Sequence, residues 1–397
     1  MGRFKLLACL FYKIFLYAIV CTFMPPYKII LIANTDWYLY NFRLSLAKFL
    51  REEGFDVVLV SPSGKFVPKI QAEGFRWVQW NVGRQSINPF YEINALLNLV
   101  SIYREEKPSL IHLHTIKAVL YGSVAAWLAG IPAVVRSITG RGYVFLGEDI
   151  KARILRPIVK SIYRFSLHFP KGITIFENET DRAYFVQEKL VDFEDTTLIK
   201  GVGVDTDYYV QMPEPEGVPV IVLASRMLWD KGVGDFVEAA RLLKGEVDAR
   251  YVLVGEPDEG NPANIEQSIL EAWEREGIVE WHGWQDDMRA VFSSSHIVVL
   301  PSFGEGVPTV LLEAAACGRP IIATDVPGCR DVVQNNENGL LVPVRNPTAL
   351  SVALKELVQS STRRQEMGAK SRILAEKEFS ITKVALETLD IYLQIFP

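Results

Sequence analysis

Cysteine is scarce. Four in 397 residues leave little room for a disulfide framework, and Cys9, Cys21, Cys317 and Cys329 have no metal-ligand spacing. A reduced, cytosolic compartment is the simplest reading. An excess of charge of one sign is also missing: 42 Lys and Arg against 47 Asp and Glu give a net charge of −5, which excludes the chain as a whole from the nucleic-acid binders. What is present is an ordinary globular composition, 49% hydrophobic and 22% charged, with enough length for two domains.

The amino terminus is the long apolar run. Residues 6–24 are nearly all apolar, broken by Lys13 and preceded by Arg3 and Lys5. The run approaches the length of a membrane span. Basic residues before it also suit a signal peptide, but no small-residue cleavage site follows, and a strand begins at once near Tyr27. The expectation is a retained anchor or interfacial helix with its positive end inside; an upstream, mis-set start codon is the alternative.

From residue 27 onward, short apolar runs alternate with helical ones. Strands are expected at 27–33, 55–60, 75–80, 109–113, 132–136, 173–176 and 197–199, with helices at 40–53, 89–106, 116–130 and 179–190 between them. This alternation argues for a doubly wound parallel sheet with ligands at the carboxyl ends of its strands. The rhythm restarts after a Pro- and Glu-rich stretch at 212–217. Strands at 219–224, 250–255, 279–284, 296–300, 320–323 and 340–342 again alternate with helices.

Three stretches stand out. In the second half, strand 296–300 runs into Phe303-Gly304-Glu305-Gly306, and a helix from Pro308 to Cys317 is closed by Gly318. Unpaired N–H groups at that helix start favour an anion such as a phosphate. Glu305 and Glu313 are slightly over two helical turns apart, so both carboxylates can lie on one side of the helix. By itself, the pair also fits a buried helix with two incidental glutamates. Upstream, Arg226 and Lys231-Gly232 follow strand 219–224, placing two cations at a strand end. In the first half, period two places His112 and His114 on one strand face, with His114 nearer the carboxyl end. A histidine in such a place is as often a structural hydrogen-bonder as a ligand contact.

Taken together, these motifs resemble the retaining glycosyltransferases of family 4, whose fold is GT-B: α/β, two Rossmann-like domains facing a cleft. The match lies in the Glu-x7-Glu element (Glu305, Glu313) and the Arg-x4-Lys-Gly element (Arg226, Lys231, Gly232). The resemblance implies that Glu305 touches the donor sugar and Glu313 the nucleotide ribose, with Gly306 and Val307 beside them and Trp284 or Gln285 bordering the base. It also implies that Arg226 and Lys231 hold the donor diphosphate. His114 would contact the donor sugar region.

After the first strand, many relatives carry a glycine pair that this chain lacks. Asn34-Thr35-Asp36-Trp37 with Asn41-Phe42-Arg43 resembles instead the branch acting on sugars linked to polyprenyl diphosphate. That resemblance points to acceptor contacts from Asn34 and Arg43; Lys117 after the fourth strand is a further acceptor-binding candidate, as is Arg141, which replaces the branch's leucine in Thr139-Gly140-Arg141-Gly142-Tyr143. Arg43 is hard to bury and has the charge for a diphosphate, and the glycine-rich turn can bring backbone close to an acceptor phosphate; packing of the aromatics and a tight ligand-free loop are the alternatives.

Residues 150–169 carry Lys151, Arg153, Arg156, Lys160 and Arg164 among Ile154, Leu155, Ile158, Ile162 and Phe165. An apolar stripe beside a basic face suits an anionic membrane surface, and a merely solvated helix is the alternative. Pro157 is expected to kink or divide it. Asp205 and Asp207, an Asp-x-Asp, read as a turn and not as a metal site.

The expected organisation is an apolar segment at 1–26, an acceptor-binding domain at 27–205 and a nucleotide-sugar-binding domain at 206–380. A terminal helix at 381–397 would cross back to the first domain. The implied activity moves a hexose or N-acetylhexosamine from a UDP-sugar to an undecaprenyl-diphosphate-linked saccharide, with retention, at the cytoplasmic face of the plasma membrane. No metal or other cofactor is expected. The same chemistry on a soluble acceptor, a nucleotide-sugar epimerase and a non-catalytic sugar-binding subunit are the alternatives.

Overall fold

The computed structural model describes residues 27–83, 88–140, 145 and 150–396. The apolar segment at 1–26 and Arg141 therefore lie outside the described residues. Two parallel sheets carry the chain.

The first holds β1 (Lys28–Ile32), β2 (Asp56–Ser61), β3 (Arg76–Gln79), β4 (Leu110–His114), β5 (Ala133–Ile138), β6 (Ile173–Phe176) and β7 (Thr196–Leu198). Its strand order is β3-β2-β1-β4-β5-β6-β7. The second holds β8 (Val220–Ala224), β9 (Arg250–Val254), β10 (Glu280–Trp281), β11 (Ile297–Leu300), β12 (Ile321–Thr324) and β13 (Gly339–Val342), ordered β10-β9-β8-β11-β12-β13. Runs such as Ile29-Ile30-Leu31-Ile32 are buried on both faces, as parallel strands covered by helices must be. In each sheet the order reverses beside the first strand, between β1 and β4 and between β8 and β11. Such a switch point opens a crevice at the carboxyl ends.

The local structure departs from expectation in three places. The single helix expected at 40–53 is two, Asp36–Phe42 and Leu44–Glu52, broken at Arg43. Arg43 turns inward there, its guanidinium donating to the Tyr38 hydroxyl at 3.0 Å. The basic helix Ile150–His168 is not divided, because Pro157 is carried inside one continuous element. The exit loop expected after β12 instead starts a short helix, Pro327–Val332, with Pro327 in its first turn, where a missing N–H costs nothing.

The helix Ile381–Ile395 packs on the first sheet. Val384, Ala385, Leu389, Ile391 and Tyr392 are buried with Ile29, Leu31, Leu46 and Leu50. The Tyr392 hydroxyl also bonds His112 Nδ1 at 2.6 Å. The return path is pinned at Val204, whose N–H donates to Phe379 O at 2.8 Å and whose carbonyl accepts from Ile381 N at 2.9 Å. Leu389→Ala should cost about 2–5 kcal/mol in urea unfolding, the usual range for a truncated core leucine. Leu386→Ala, on the exposed side of the same helix, should cost less than about 0.5 kcal/mol.

Candidate functional site between the two sheets

The site begins with backbone packing at the carboxyl ends of β8 and β11. Gly232 has φ 72°, and a Cβ there would stand 2.0 Å from Pro301 O. Only glycine lets the Trp229–Gly232 turn press against the chain leaving β11. The contact is completed by Phe303 N donating to Asp230 O at 2.8 Å and by Ser302 Oγ reaching the same carbonyl at 3.3 Å. The two motifs, with Lys231 and Glu305 74 positions apart, thus form one surface. Lys231 Nζ lies 2.6 Å from Glu305 Oε1, with both side chains mostly buried.

The turn 303–307 is backed by the next strand's exit. A Cβ on Gly328 would stand 1.4 Å from Gly306 O. Thr324 Oγ1 donates to Ser302 O, which ties β12 to the same turn. Beyond it, the helix Thr309–Ala316 points its amino end into the crevice, with Pro308 as N-cap.

Arg226 is half exposed, and its guanidinium meets Asp258 at 2.5 Å. Trp284 is about half exposed (48%), with its Nε1 donating to Asp286 Oδ1. Lys65, in the loop after β2, lies 5.9 Å from the centre of its ring, so Trp284 borders the first sheet's side of the crevice. Glu313 is set into the helix flank, where the Tyr209 hydroxyl hydrogen-bonds it. Burial outweighs that bond and pushes its carboxyl up to about 7.

Residues of the first sheet take different places. His112 and His114 do share a face, their ring centres 3.9 Å apart. Both are buried, and burial holds both well below the ordinary histidine range, helped for His114 by His112 and Arg43. His112 is satisfied by Tyr392 and by Ser137 Oγ at 2.7 Å. His114, beneath Tyr38, has no hydrogen-bond partner on either ring nitrogen among the described residues. Arg43 is buried, between Tyr38, to which it donates, and the side of Glu177, whose carboxylate it favours. Lys117 is held by Glu92 at 2.9 Å and by Gly83 O at 2.8 Å. Asn34 donates its N–H to Thr115 Oγ1 at 3.2 Å, joining the ends of β1 and β4 at the switch point. Asp205 is a turn former: its Oδ1 accepts from Asp207 N at 3.0 Å and Tyr208 N at 2.9 Å.

The structure brings together Lys231, Glu305, Gly306 and Val307, sets Arg226 against Asp258, and holds Arg43 against Tyr38 and Lys117 against Glu92. One contact has no counterpart in the motifs. Glu177, directly after β6, accepts the Val307 N–H at 3.0 Å across the two sheets. Burial raises its carboxyl to about 7 against the pull of Arg43 and the Val307 N–H. Its place at the end of a buried strand was the available signal. Asp258 and Tyr209 carried none.

Comparison with known proteins agrees with this geometry. Residues 28–171 match the model described as Glycosyl transferase 4-like, and residues 218–360 match Glycosyl transferases group 1. The chain belongs to the group 1 glycosyltransferases, and its fold is GT-B. It is 28% identical over 367 residues to the N,N'-diacetylbacillosaminyl-diphospho-undecaprenol alpha-1,3-N-acetylgalactosaminyltransferase of Campylobacter jejuni, covering 89% of this chain and 95% of that protein. It is 24% identical to the UDP-Gal:alpha-D-GlcNAc-diphosphoundecaprenol alpha-1,3-galactosyltransferase of Escherichia coli, covering 89% and 93%. Among solved structures, an Anabaena protein in complex with UDP-glucose superposes with TM-score 0.75 at 17% identity, covering 93% of this chain and all of that one.

The raised carboxyls give a pH dependence. Each of Glu177 and Glu313 is raised from 4.5 to about 7 in the folded protein. Between those values the folded protein keeps protons on these two carboxyls that the unfolded chain has released, so their contribution to stability falls as pH rises through that window, whereas the buried His112 and His114 contribute the opposite trend below about 6.5. Relative to wild type, Glu313→Gln should make the change in stability from low to high pH less unfavourable, while Glu177 keeps its own share. Urea midpoints at about pH 5 and about pH 8 would show it; an unchanged difference would place the titration elsewhere.

Proposed function

We propose that this chain moves a hexose or N-acetylhexosamine from a UDP-sugar to a saccharide carried on undecaprenyl diphosphate, with retention of anomeric configuration. The observation that carries the reading is the Lys231–Glu305 pair at a helix amino end on the switch point of the second sheet, with Arg226 half exposed after the β8 strand of that sheet. The named activities of the Campylobacter and Escherichia relatives support the acceptor class, and the UDP-glucose complex of the Anabaena protein supports the donor. Residues 27–205 would present the acceptor and residues 206–380 the donor.

The chemistry follows from charge. As the bond from the sugar's anomeric carbon to the diphosphate oxygen breaks, negative charge grows on the diphosphate. Lys231, Arg226 and the N–H groups opening the helix Thr309–Ala316 stabilise it more in the transition state than before it. Lys231 supplies a point charge that can leave Glu305 for phosphate, and Arg226 a planar fork. Glu305, freed of Lys231, orients the sugar hydroxyls, and Glu313 the ribose. The acceptor hydroxyl bonds the same face of the anomeric carbon and passes its proton to the departing diphosphate oxygen.

The membrane would be met through the helix Ile150–His168. Ile154, Ile158, Ile162 and Phe165 recur on one exposed side of it, and residues 150–168 hold basic side chains and no acidic ones. Among the described residues, no helix is long and apolar enough to cross a membrane. Attraction to anionic lipid contributes about 1 kcal/mol per basic residue near the surface.

Glu305→Ala and Lys231→Ala should each lower transfer of label from a UDP-sugar into an undecaprenyl-diphosphate glycan by at least about 100-fold. Full activity in either would remove that residue from the site, and altered UDP-sugar formed without acceptor would replace transfer by epimerisation. Ile158→Glu combined with Ile162→Glu should lower co-sedimentation with phosphatidylglycerol vesicles and leave transfer to a short-chain, water-soluble acceptor unchanged. Equal binding by the wild type and this variant would end the docking assignment.

A further inference from the structure

The contact between the sheets passes through Glu177. The residue is 6% exposed and stands at the carboxyl end of β6, in the first sheet. Its Oε2 accepts the Val307 N–H at 3.0 Å. A Cβ on Gly306 would stand 2.6 Å from that same oxygen and 2.4 Å from Thr139 O. The turn that carries Glu305 is therefore pressed against the first sheet with no side chain between. Residue 308 is proline and has no N–H, so Val307 offers the last amide before the helix Thr309–Ala316.

The charges around Glu177 do not explain it as a simple ion pair. Arg43 favours its carboxylate, whereas Asp181 and Glu305 oppose it. Arg43 itself hydrogen-bonds Tyr38. The neighbouring Asn178 caps the helix Glu179–Gln187 through Asp181 N at 2.8 Å, so Glu177 is not needed for that cap. A buried carboxylate whose charge is only partly compensated is costly, and among the described residues its one direct bond goes to the opposite sheet.

We propose that Glu177 is a positioning residue: from the first sheet it fixes the 303–307 turn through the Val307 N–H and so sets where Glu305 stands against Lys231. This rests on the reading above that Glu305 orients the donor sugar. It predicts that the donor-side carboxylate is placed by the acceptor-side sheet, so the geometry for transfer is complete only when the two sheets are in register.

Glu177→Ala removes the acceptor oxygen, whereas Glu177→Gln keeps one and loses only the charge. Two measurements on the full chain separate the ideas: amide hydrogen exchange in the peptide covering 303–307, and steady-state transfer from the UDP-sugar. In Glu177→Ala, exchange in that peptide should quicken at least about tenfold and kcat should fall about tenfold or more, with the donor KM within about threefold of wild type. Glu177→Gln should restore most of both. Unchanged exchange or unchanged kcat in Glu177→Ala would overturn the proposal, as would a Gln variant no better than Ala. A lowered donor KM in Glu177→Ala would also overturn it, by showing that the carboxylate merely occupies a place the donor takes. If the wild type transfers no sugar from any UDP-sugar, the proposed activity fails, and the exchange comparison alone decides whether Glu177 holds the turn.

Discussion

Everything near the crevice depends on main chain meeting main chain without side chains between. At Gly232 the backbone abuts Pro301 O, and at Gly328 it abuts Gly306 O. These approaches place the Lys231 turn and the Glu305 turn closer together than any pair of Cβ-bearing residues would allow. A lysine and a glutamate in turns that follow separate strands then meet at 2.6 Å. The ion pair is a consequence of the glycines. Without them, Lys231 and Glu305 would be two surface charges worth under about 1 kcal/mol to each other.

Much of this was legible in the sequence because the second sheet carries its chemistry in loops that follow strands directly. Arg226 follows the end of β8 by two residues, and Glu305 follows the end of β11 by five. Strand alternation and Gly punctuation are local signals, and they survive in one dimension. The first sheet was harder to read. Arg43 looked like a ligand for diphosphate because a buried arginine is uncommon. Its burial depends on Tyr38 and on the break between two helices, which is a tertiary outcome. Lys117 likewise is neutralised by Glu92, 25 positions away on another helix. Glu177 escaped notice because its partner is an amide 130 positions on, and no periodicity links them.

The two faces of the crevice are built differently. On the second sheet, Arg226 and Trp284 stay about half exposed, as groups that must meet a soluble, highly charged nucleotide would. On the first sheet the polar groups are packed away. His112, His114, Tyr38 and Arg43 form an internal cluster beneath the surface, with His112 bonded to the terminal helix through Tyr392. That cluster props the first sheet where it bears on the donor turn. Neutral histidines suit the task, since a protonated pair at this separation beside Arg43 would repel strongly in so dry a setting.

On the proposed reading, a spare acceptor face is physically sufficient. A substrate held in the bilayer does not need to be caught from dilute solution, because confining enzyme and acceptor to one surface raises their effective concentration without a single new contact. The exposed stripe of Ile154, Ile158, Ile162 and Phe165 would contribute that confinement. The crevice then has to discriminate only the reacting end of the saccharide, which a few main-chain groups at the β1 and β4 ends can do. Donor recognition has no such help, since a UDP-sugar is free in solution. This explains why the cations, the paired carboxylates and the close glycine packing are concentrated on the second sheet.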